Sequence, residues 1–378
     1  MPLLKNKLAG VMIKTVSEAC NLSCDYCYYS RCQGKPGNIR TMDLTMLERF
    51  IQEYFDVNQM YAPFVWQGGE PLLAGLDFFE TVVKLQQKYK RERQVVQNMI
   101  QTNGTLITKR WAEFFKQHNF LVGVSLDGPK HLHDKRRVTA NGQGSFDAVM
   151  RGIEELKASE VPFNILTVLH ETNITSPKDM YAFIKEQNFT HVQFLPCMDF
   201  MSQHPDNLPR YHISDMEYGK FMSDIFDEWY NAGQPEVSIR FFENTLAAHM
   251  NQKQEFCQLN QHCPKMLVLE QNGEAYPCDF YIHPDYKLGH ISEDRLEDII
   301  NHPTWAQFST MKKNLPDQCQ SCDFLTYCHG GCPRNRGSQH LQTTDYFCEG
   351  YKQIFRHSHE RLEFLAEQLR KGDYQPSI

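Results

Sequence analysis

Cys20-Asn21-Leu22-Ser23-Cys24-Asp25-Tyr26-Cys27 is the stretch on which the reading of this chain turns. Three cysteines stand there with three and then two residues between them. They directly follow Val11-Met12-Ile13-Lys14-Thr15-Val16-Ser17-Glu18, whose β-branched residues predict a strand over 11–18. The thiols therefore belong to a loop at a strand's C-terminal end. Three thiolates at this spacing suit three corners of an iron–sulfur cubane, leaving the fourth iron free to chelate a small molecule, much as a catalytic zinc keeps an open position. The plainer reading is a zinc knuckle short of one ligand, or three inert buried cysteines.

Outward from this loop the sequence alternates. Helical periodicity over Asp43 to Asp56 leads to a strand at 63–67, stopped by Gly68-Gly69. A helix over Asp77 to Tyr89 leads to a strand from Val95 to Gln101, closed by Thr102-Asn103-Gly104. A helix from Thr108 to His118 leads to a strand from Phe120 to Leu126, closed by Asp127-Gly128-Pro129. Helix 145–158, strand 162–169, helix 176–187 and strand 191–195 continue the rhythm. About six β–α units between residues 10 and 200 predict parallel βαβ structure, too few for a closed eight-stranded barrel. The expected architecture is a partial, open α/β barrel with its functional loops at the C-terminal strand ends.

The other anomaly is composition. Thirteen cysteines, an odd number, occur with no secretory signal, which argues against a disulfide framework and for ligands in a reducing cytoplasm. A net charge of −7 makes the chain a poor partner for nucleic acid, and no apolar run approaches the length of a membrane span. Only Cys197 lies between Cys32 and Cys257, so the cysteines divide the chain. The expected units are residues 1–235, the barrel, and 236–378, a loop-rich module with little core of its own, dependent on metal for folding and ending in an amphipathic helix from Tyr351 to Arg370. In that module Cys257, Cys263 and Cys278 precede Cys319, Cys322, Cys328, Cys332 and Cys348. Eight cysteines make two sets of four, for iron–sulfur clusters or for zinc; spacing alone leaves both open.

The N-terminal triplet, with Tyr26 before its last cysteine, resembles the signature of the radical S-adenosylmethionine (SAM) enzymes, whose fold is a partial (β/α)6 barrel. Gln67-Gly68-Gly69-Glu70-Pro71 resembles that family's Gly-Gly-Glu-Pro motif. The resemblance implies that Cys20, Cys24 and Cys27 hold the SAM-binding 4Fe–4S cluster. It further implies that Gln67, Gly68, Gly69, Glu70, Asn103, Ser125, Asp127 and Arg137 surround SAM, the glycines letting backbone carbonyls approach its amino group. Any one of these polar residues is equally at home as a cap or turn residue.

The Cys319–Cys332 core with its flanking cysteines resembles the SPASM extension of the same enzymes, which carries two auxiliary 4Fe–4S clusters. The resemblance implies Cys257, Cys263, Cys278 and Cys332 on one, and Cys319, Cys322, Cys328 and Cys348 on the other. Within SPASM proteins the chain resembles the anaerobic sulfatase-maturating enzymes, on Gln67 to Gly75, Gln101 to Leu106, Ser238-Ile239-Arg240-Phe241-Phe242 and Tyr276-Pro277-Cys278-Asp279-Phe280-Tyr281. Only 19 residues precede Cys20, so no leader-peptide domain is expected there.

Such a protein oxidises a Cys or Ser in a sulfatase Cys/Ser-x-Pro-x-Arg segment to Cα-formylglycine, with flavodoxin or ferredoxin as the kind of electron donor implied. Asp279 is the implied base, and burial is expected to raise its pKa towards the working range. Tyr29 and Arg240 are the implied substrate contacts. Two alternatives stand beside this reading: a maturase that forms thioether or carbon–carbon crosslinks in a ribosomal peptide, and a non-catalytic electron carrier or zinc scaffold.

Overall fold

A computed structural model describes residues 7–29, 39–197, 213–336 and 343–372. Cys32 lies outside the described residues. Ten strands occur among them: β1 (Gly10–Ile13), β2 (Tyr61–Trp66), β3 (Val95–Thr102), β4 (Phe120–Ser125), β5 (Phe163–Leu169), β6 (His191–Pro196), β7 (Ser238–Ile239), β8 (Met266–Leu269), β9 (Glu274–Tyr276) and β10 (Gly289–His290). The chain divides into two compact units, each discontinuous in sequence. The first comprises Met1–Ser125, Arg137–Phe163 and Pro264–Phe308; the second comprises Leu126–Arg136, Asn164–Cys263 and Ser309–Ile378. This division follows contacts, whereas the 1–235 and 236–378 division follows motifs.

In the first unit the strands run β10-β9-β8-β1-β2-β3-β4. β1 to β4 are parallel neighbours in chain order, and β8 joins β1 in parallel. β9 and β10 extend the edge in antiparallel fashion. Buried on both faces, such strands read as apolar runs, as the adjacent buried residues Ala62, Pro63 and Phe64 of β2 show. The helix Leu44–Val57 begins at Asp43, whose carboxylate accepts from the Met46 amide at 2.9 Å, a cap worth about 1 kcal/mol. Its buried face is Leu47, Phe50, Ile51, Tyr54 and Phe55. Trp66 donates its indole N–H to Asn98 Oδ1 at 2.9 Å, and Asn98 pairs with Gln86, so this buried polar cluster is satisfied.

The strand expected over 11–18 ends at Ile13. Beyond it the backbone turns, with Ser17 and Ala19 amides donating to the Lys14 and Val16 carbonyls and Ser17 at φ +53°. This turn aims Cys20 away from the strand axis.

In the second unit β5, β6 and β7 lie side by side in parallel. The last helix of the expected 236–378 module packs on a helix from outside that module, Asp215–Tyr230. The helices Asp215–Tyr230 and Cys348–Lys371 cross closely, since a Cβ on Gly350 would lie 2.2 Å from the Asp215 carbonyl and one on Gly219 would lie 2.8 Å from Gly350 Cα. Around that crossing Tyr218, Phe226, Trp229, Phe241, Phe242, Tyr351 and Phe355 are buried. Tyr218 sits edge-on to Tyr351, and Phe241 stacks on Phe355. The missing sequence signal was the partner: either helix alone shows only an apolar stripe.

Candidate active site and cluster ligands

The loops after β1, β2 and β3 interlock within the first unit. The Gly69 amide donates to the Ser17 carbonyl at 2.7 Å and the Glu70 amide to Ala19 at 2.8 Å. An added Cβ on Gly69 would fall 2.1 Å from the Ala19 carbonyl oxygen, and Gly68 adopts φ +140° with Ser17 O 2.7 Å from its own Cβ position. The space kept open by these glycines is filled by the backbone leading into Cys20. These glycines thereby seat the cysteine loop.

Glu70 is fully buried. Its carboxylate accepts from the Leu72 amide at 3.0 Å, the Thr102 hydroxyl at 2.8 Å and the Asn103 amide at 2.7 Å. Burial pushes its pKa up to about 7, against the pull of these donors. Glu70 thus fixes the turn after β3. There Asn103 Nδ2 donates to Asn21 Oδ1 at 2.8 Å and lies 3.6 Å from Cys20 Sγ, while Asn21 donates to the Thr105 hydroxyl at 2.9 Å. The Leu22 amide also reaches Cys20 Sγ, at 3.4 Å. Two N–H groups therefore face the first cysteine's sulfur. Burial and the Glu70 charge nonetheless push the Cys20 thiol up to about 11, so binding iron there must displace a proton. Cys24 is buried and Cys27 half-buried.

Arg137 is buried with its guanidinium 5.5 Å from the Tyr26 ring, while Ser145 bonds its carbonyl. Ser125 accepts from Gln101 Nε2 at 3.0 Å. Asp127 belongs to the second unit. Fully buried, it accepts from the Val168 amide at 2.9 Å and stands 3.7 Å from His170 Nε2. Its carboxylate braces β5, as a turn residue does.

A second group in the first unit centres on Asp279, immediately after Cys278. Tyr28 and Tyr29 both donate to its Oδ2, at 2.5 and 2.9 Å, and Lys14 Nζ lies 2.5 Å from Oδ1. Lys14 is itself buried. It stands 3.4 Å from Glu270, which accepts from Ser17, and 4.3 Å from the centre of the Tyr29 ring. Burial pushes the Asp279 carboxyl up, but the Lys14 charge and the two phenols prevail and hold it below the usual carboxylate range. The expected rise is therefore corrected: the neighbours outweigh desolvation. Lys14 is held protonated by the two carboxylates in spite of burial. Burial and the Asp279 charge push both phenols well up, so they remain donors.

In the second unit Cys319, Cys322, Cys328 and Cys348 line one pocket, walled by Phe324, Leu325, Tyr351 and Phe355. Burial pushes Cys328 and Cys348 up to about 11. Four thiols on one pocket supply a complete thiolate set of the kind that holds an iron–sulfur cluster or zinc. Cys257, Cys263 and Cys332 form a separate set in the same unit; burial, with the Cys257 charge next, pushes Cys332 up to about 12. Cys278 stands in the first unit. Cys197 is simply buried.

Residues 15–184 match the model of the Radical SAM superfamily, and residues 257–323 match an iron–sulfur cluster-binding domain, SPASM. The serine-type anaerobic sulfatase-maturating enzyme of Bacteroides thetaiotaomicron is 38% identical over 95% of this chain and 91% of its own length. The chain belongs to the anaerobic sulfatase-maturating enzymes. The cysteine-type enzyme of Clostridium novyi is 35% identical over 96% of this chain and 98% of its own. The solved structure of native anSMEcpe with bound AdoMet and Cp18Cys peptide superposes with a TM-score of 0.89, at 32% identity over 95% of this chain and 99% of that one. The fold is thus the α/β radical SAM fold with a parallel sheet and a C-terminal SPASM domain, and the cofactors are SAM and iron–sulfur clusters.

For this sulfatase-maturating enzyme the structure adds residues that motif reading passed over. Lys14 was legible only as a lone charge at the end of an apolar strand. Asn21 and Thr105 stood inside quoted motifs without a role. Tyr28 was hidden because its neighbour Tyr29 carried the resemblance. Arg240, at the start of the helix Arg240–His249, lies in the second unit. It donates to Gln193 at 3.3 Å and packs its guanidinium 4.9 Å from the Phe256 ring.

Proposed function

We propose that the enzyme converts a Cys or Ser side chain, presented by a sulfatase in a Cys/Ser-x-Pro-x-Arg segment, into Cα-formylglycine. The observation that carries this reading is the Asp279 carboxylate, buried and kept ionised by Lys14, Tyr28 and Tyr29. Relatives of both the serine and the cysteine type are similar over nearly the whole chain.

The change removes two protons and two electrons from the substrate side chain. SAM, bound with the cluster on Cys20, Cys24 and Cys27, supplies the 5′-deoxyadenosyl radical that takes one hydrogen from Cβ. Asp279 accepts the proton of the thiol or hydroxyl. Lys14 keeps that carboxylate ready to accept it, and the two tyrosines fix its direction. From serine the aldehyde forms directly; from cysteine the thioaldehyde exchanges its sulfur for the oxygen of water.

Gly68 and Gly69 seat the cysteine loop, Glu70 and Asn103 brace it, and Gln67, Ser125 and Arg137 remain the proposed SAM contacts. Asp127 is a supporting residue, and Tyr29 and Arg240 are proposed to face the peptide. Cys257, Cys263, Cys278 and Cys332 would hold one auxiliary 4Fe–4S cluster and Cys319, Cys322, Cys328 and Cys348 a second, and such a cluster would supply an acceptor for the second electron. A flavodoxin or ferredoxin is the proposed donor to the N-terminal cluster, in a cytoplasmic setting.

The test is an anaerobic assay of reconstituted protein with SAM, reductant and a Cys-x-Pro-x-Arg or Ser-x-Pro-x-Arg peptide, read by mass spectrometry. An aldehyde with equivalent 5′-deoxyadenosine supports the reading and shows which residue is taken. SAM cleavage with both peptides untouched refutes it and moves the substrate to another peptide class.

A further inference from the structure

The second unit contains a buried cation that the reaction described above does not use. Lys312, on the helix Pro303–Lys313, is 1% exposed. Its ammonium donates to the Gln258 carbonyl at 2.8 Å and to the Gly331 carbonyl. These carbonyls belong to the residue after Cys257 and the residue before Cys332. One side chain therefore ties together two loops that each carry a cluster cysteine. No carboxylate forms an ion pair with Lys312 among those observed; the acidic groups that act on it are the thiols of Cys332, Cys263 and Cys257 and the buried Asp345 carboxylate. The neighbouring Arg336, also buried, directs its guanidinium to the carbonyls of Gly330, Met311, Asn314 and Lys312. Asp345 sits nearby but accepts from the Cys332 and Phe347 amides and from Asn335.

The set on Cys319, Cys322, Cys328 and Cys348 has a different lysine. The Arg336 guanidinium acts on Cys319 as it does on Cys263, so it is common to both sets. The lysine on this side is Lys352, half-buried and paired with Glu349 at 2.8 Å. A lysine paired with a carboxylate acts on its cluster less than a desolvated one held by carbonyls.

We propose that Lys312 is a positioning residue that raises the midpoint potential of the cluster on Cys257, Cys263 and Cys332. Adding an electron to an anionic thiolate-bound cluster adds negative charge, and a fixed buried cation stabilises the reduced form more than the oxidised one. Arg336 acts on both cysteine sets, whereas Lys312 is tied to the loops of one, so its charge acts chiefly on that set. The inference rests on the cluster assignment proposed above.

The experiment uses the full chain with Cys20, Cys24 and Cys27 changed to Ala, reconstituted so that only the auxiliary clusters remain, and titrated anaerobically by EPR. Two sets of four irons give about eight irons per chain. Lys312→Gln keeps hydrogen-bond donors and removes the charge; Lys312→Arg keeps the charge. The expected result is that Lys312→Gln lowers one of two midpoints by at least a tenfold change in the reduced-to-oxidised ratio, about 59 mV for one electron, while Lys312→Arg restores it and the other midpoint stays. Unmoved midpoints at full iron content overturn the inference alone, as does an equal shift of both. Loss of iron in Lys312→Gln assigns the residue to assembly and also overturns it. An iron content near zero with Lys312 intact overturns the cluster assignment and the inference together.

Discussion

Lys14 Nζ and Asp279 Oδ1 stand 2.5 Å apart, the first at the end of β1 and the second just past a cysteine more than two hundred and fifty residues later. Both side chains are buried, at 2% and 8% exposure. A buried ion pair is costly to desolvate, and removing one partner leaves the other uncompensated. The pair therefore makes sense where an ionised carboxylate is needed away from water, as in a base that takes a proton from a substrate.

Lys14→Met is expected to move the acid limb of the pH–rate profile of peptide oxidation to higher pH. Asp279 works as the carboxylate, and activity falls as pH drops through its pKa. Lys14 holds that pKa low against burial, so without it burial raises the pKa and the limb follows. The variant is expected to lose about 3–5 kcal/mol of stability, read by denaturant unfolding of the reconstituted protein. Lys14→Arg should retain most of both properties. An unmoved limb in a folded Lys14→Met protein would show that the charge does not act on the base.

Asp279→Asn is expected to retain reductive SAM cleavage and to lose peptide oxidation by about 10²–10⁴-fold. Quantifying 5′-deoxyadenosine and aldehyde in the same reaction checks it. Tyr28→Phe should fall between this variant and the parent, because it removes one of two phenol donors and leaves Lys14 in place. Full oxidation by Asp279→Asn removes this carboxylate from the base role.

Gly69→Ala is expected to disturb the N-terminal cluster site specifically. The new methyl group meets backbone, the Ala19 carbonyl at 2.1 Å, and backbone cannot rotate aside as a side-chain end does. Iron content should fall by about four of about twelve per chain, while the auxiliary clusters persist. Retention of all the iron, with normal SAM cleavage, would show that the loop tolerates displacement.

Removing iron with a chelator is expected to loosen the stretch from Asp317 to Cys328. Its helical pieces, Asp317–Gln320 and Leu325–Cys328, are four residues each, far below the length at which a helix holds itself. Cys319, Cys322 and Cys328 lie in or beside them, so metal bonds supply the missing cross-links. Hydrogen exchange should rise there and remain low in the helix Cys348–Lys371, whose face is packed on aromatic side chains. Equal exchange before and after chelation would contradict this.

Much of the protein was legible in the linear chain because the signals are local. The triplet from Cys20 to Cys27 lies within one loop, strands declare themselves by short apolar runs, and the ends of β2, β3 and β4 carry their own glycine or asparagine. Those signals placed the parallel strands, the turns and the two cysteine fields. What Gly69 is for was not local: the atom that forbids a side chain belongs to Ala19, about fifty residues earlier.

The sequence by itself determined which groups are available: eleven cysteines in two fields, proposed above as cluster ligands, a parallel βα framework and an acid beside Cys278. Tertiary structure decided their state. Asp279 lies below the ordinary carboxylate range because Lys14, Tyr28 and Tyr29 converge on it, Glu70 turns inward to brace Asn103, and Lys312 lies buried against the carbonyls beside Cys257 and Cys332. The physical reason is that electrostatic energy depends on distance and on exclusion of water, and both are properties of packing between segments far apart in the chain.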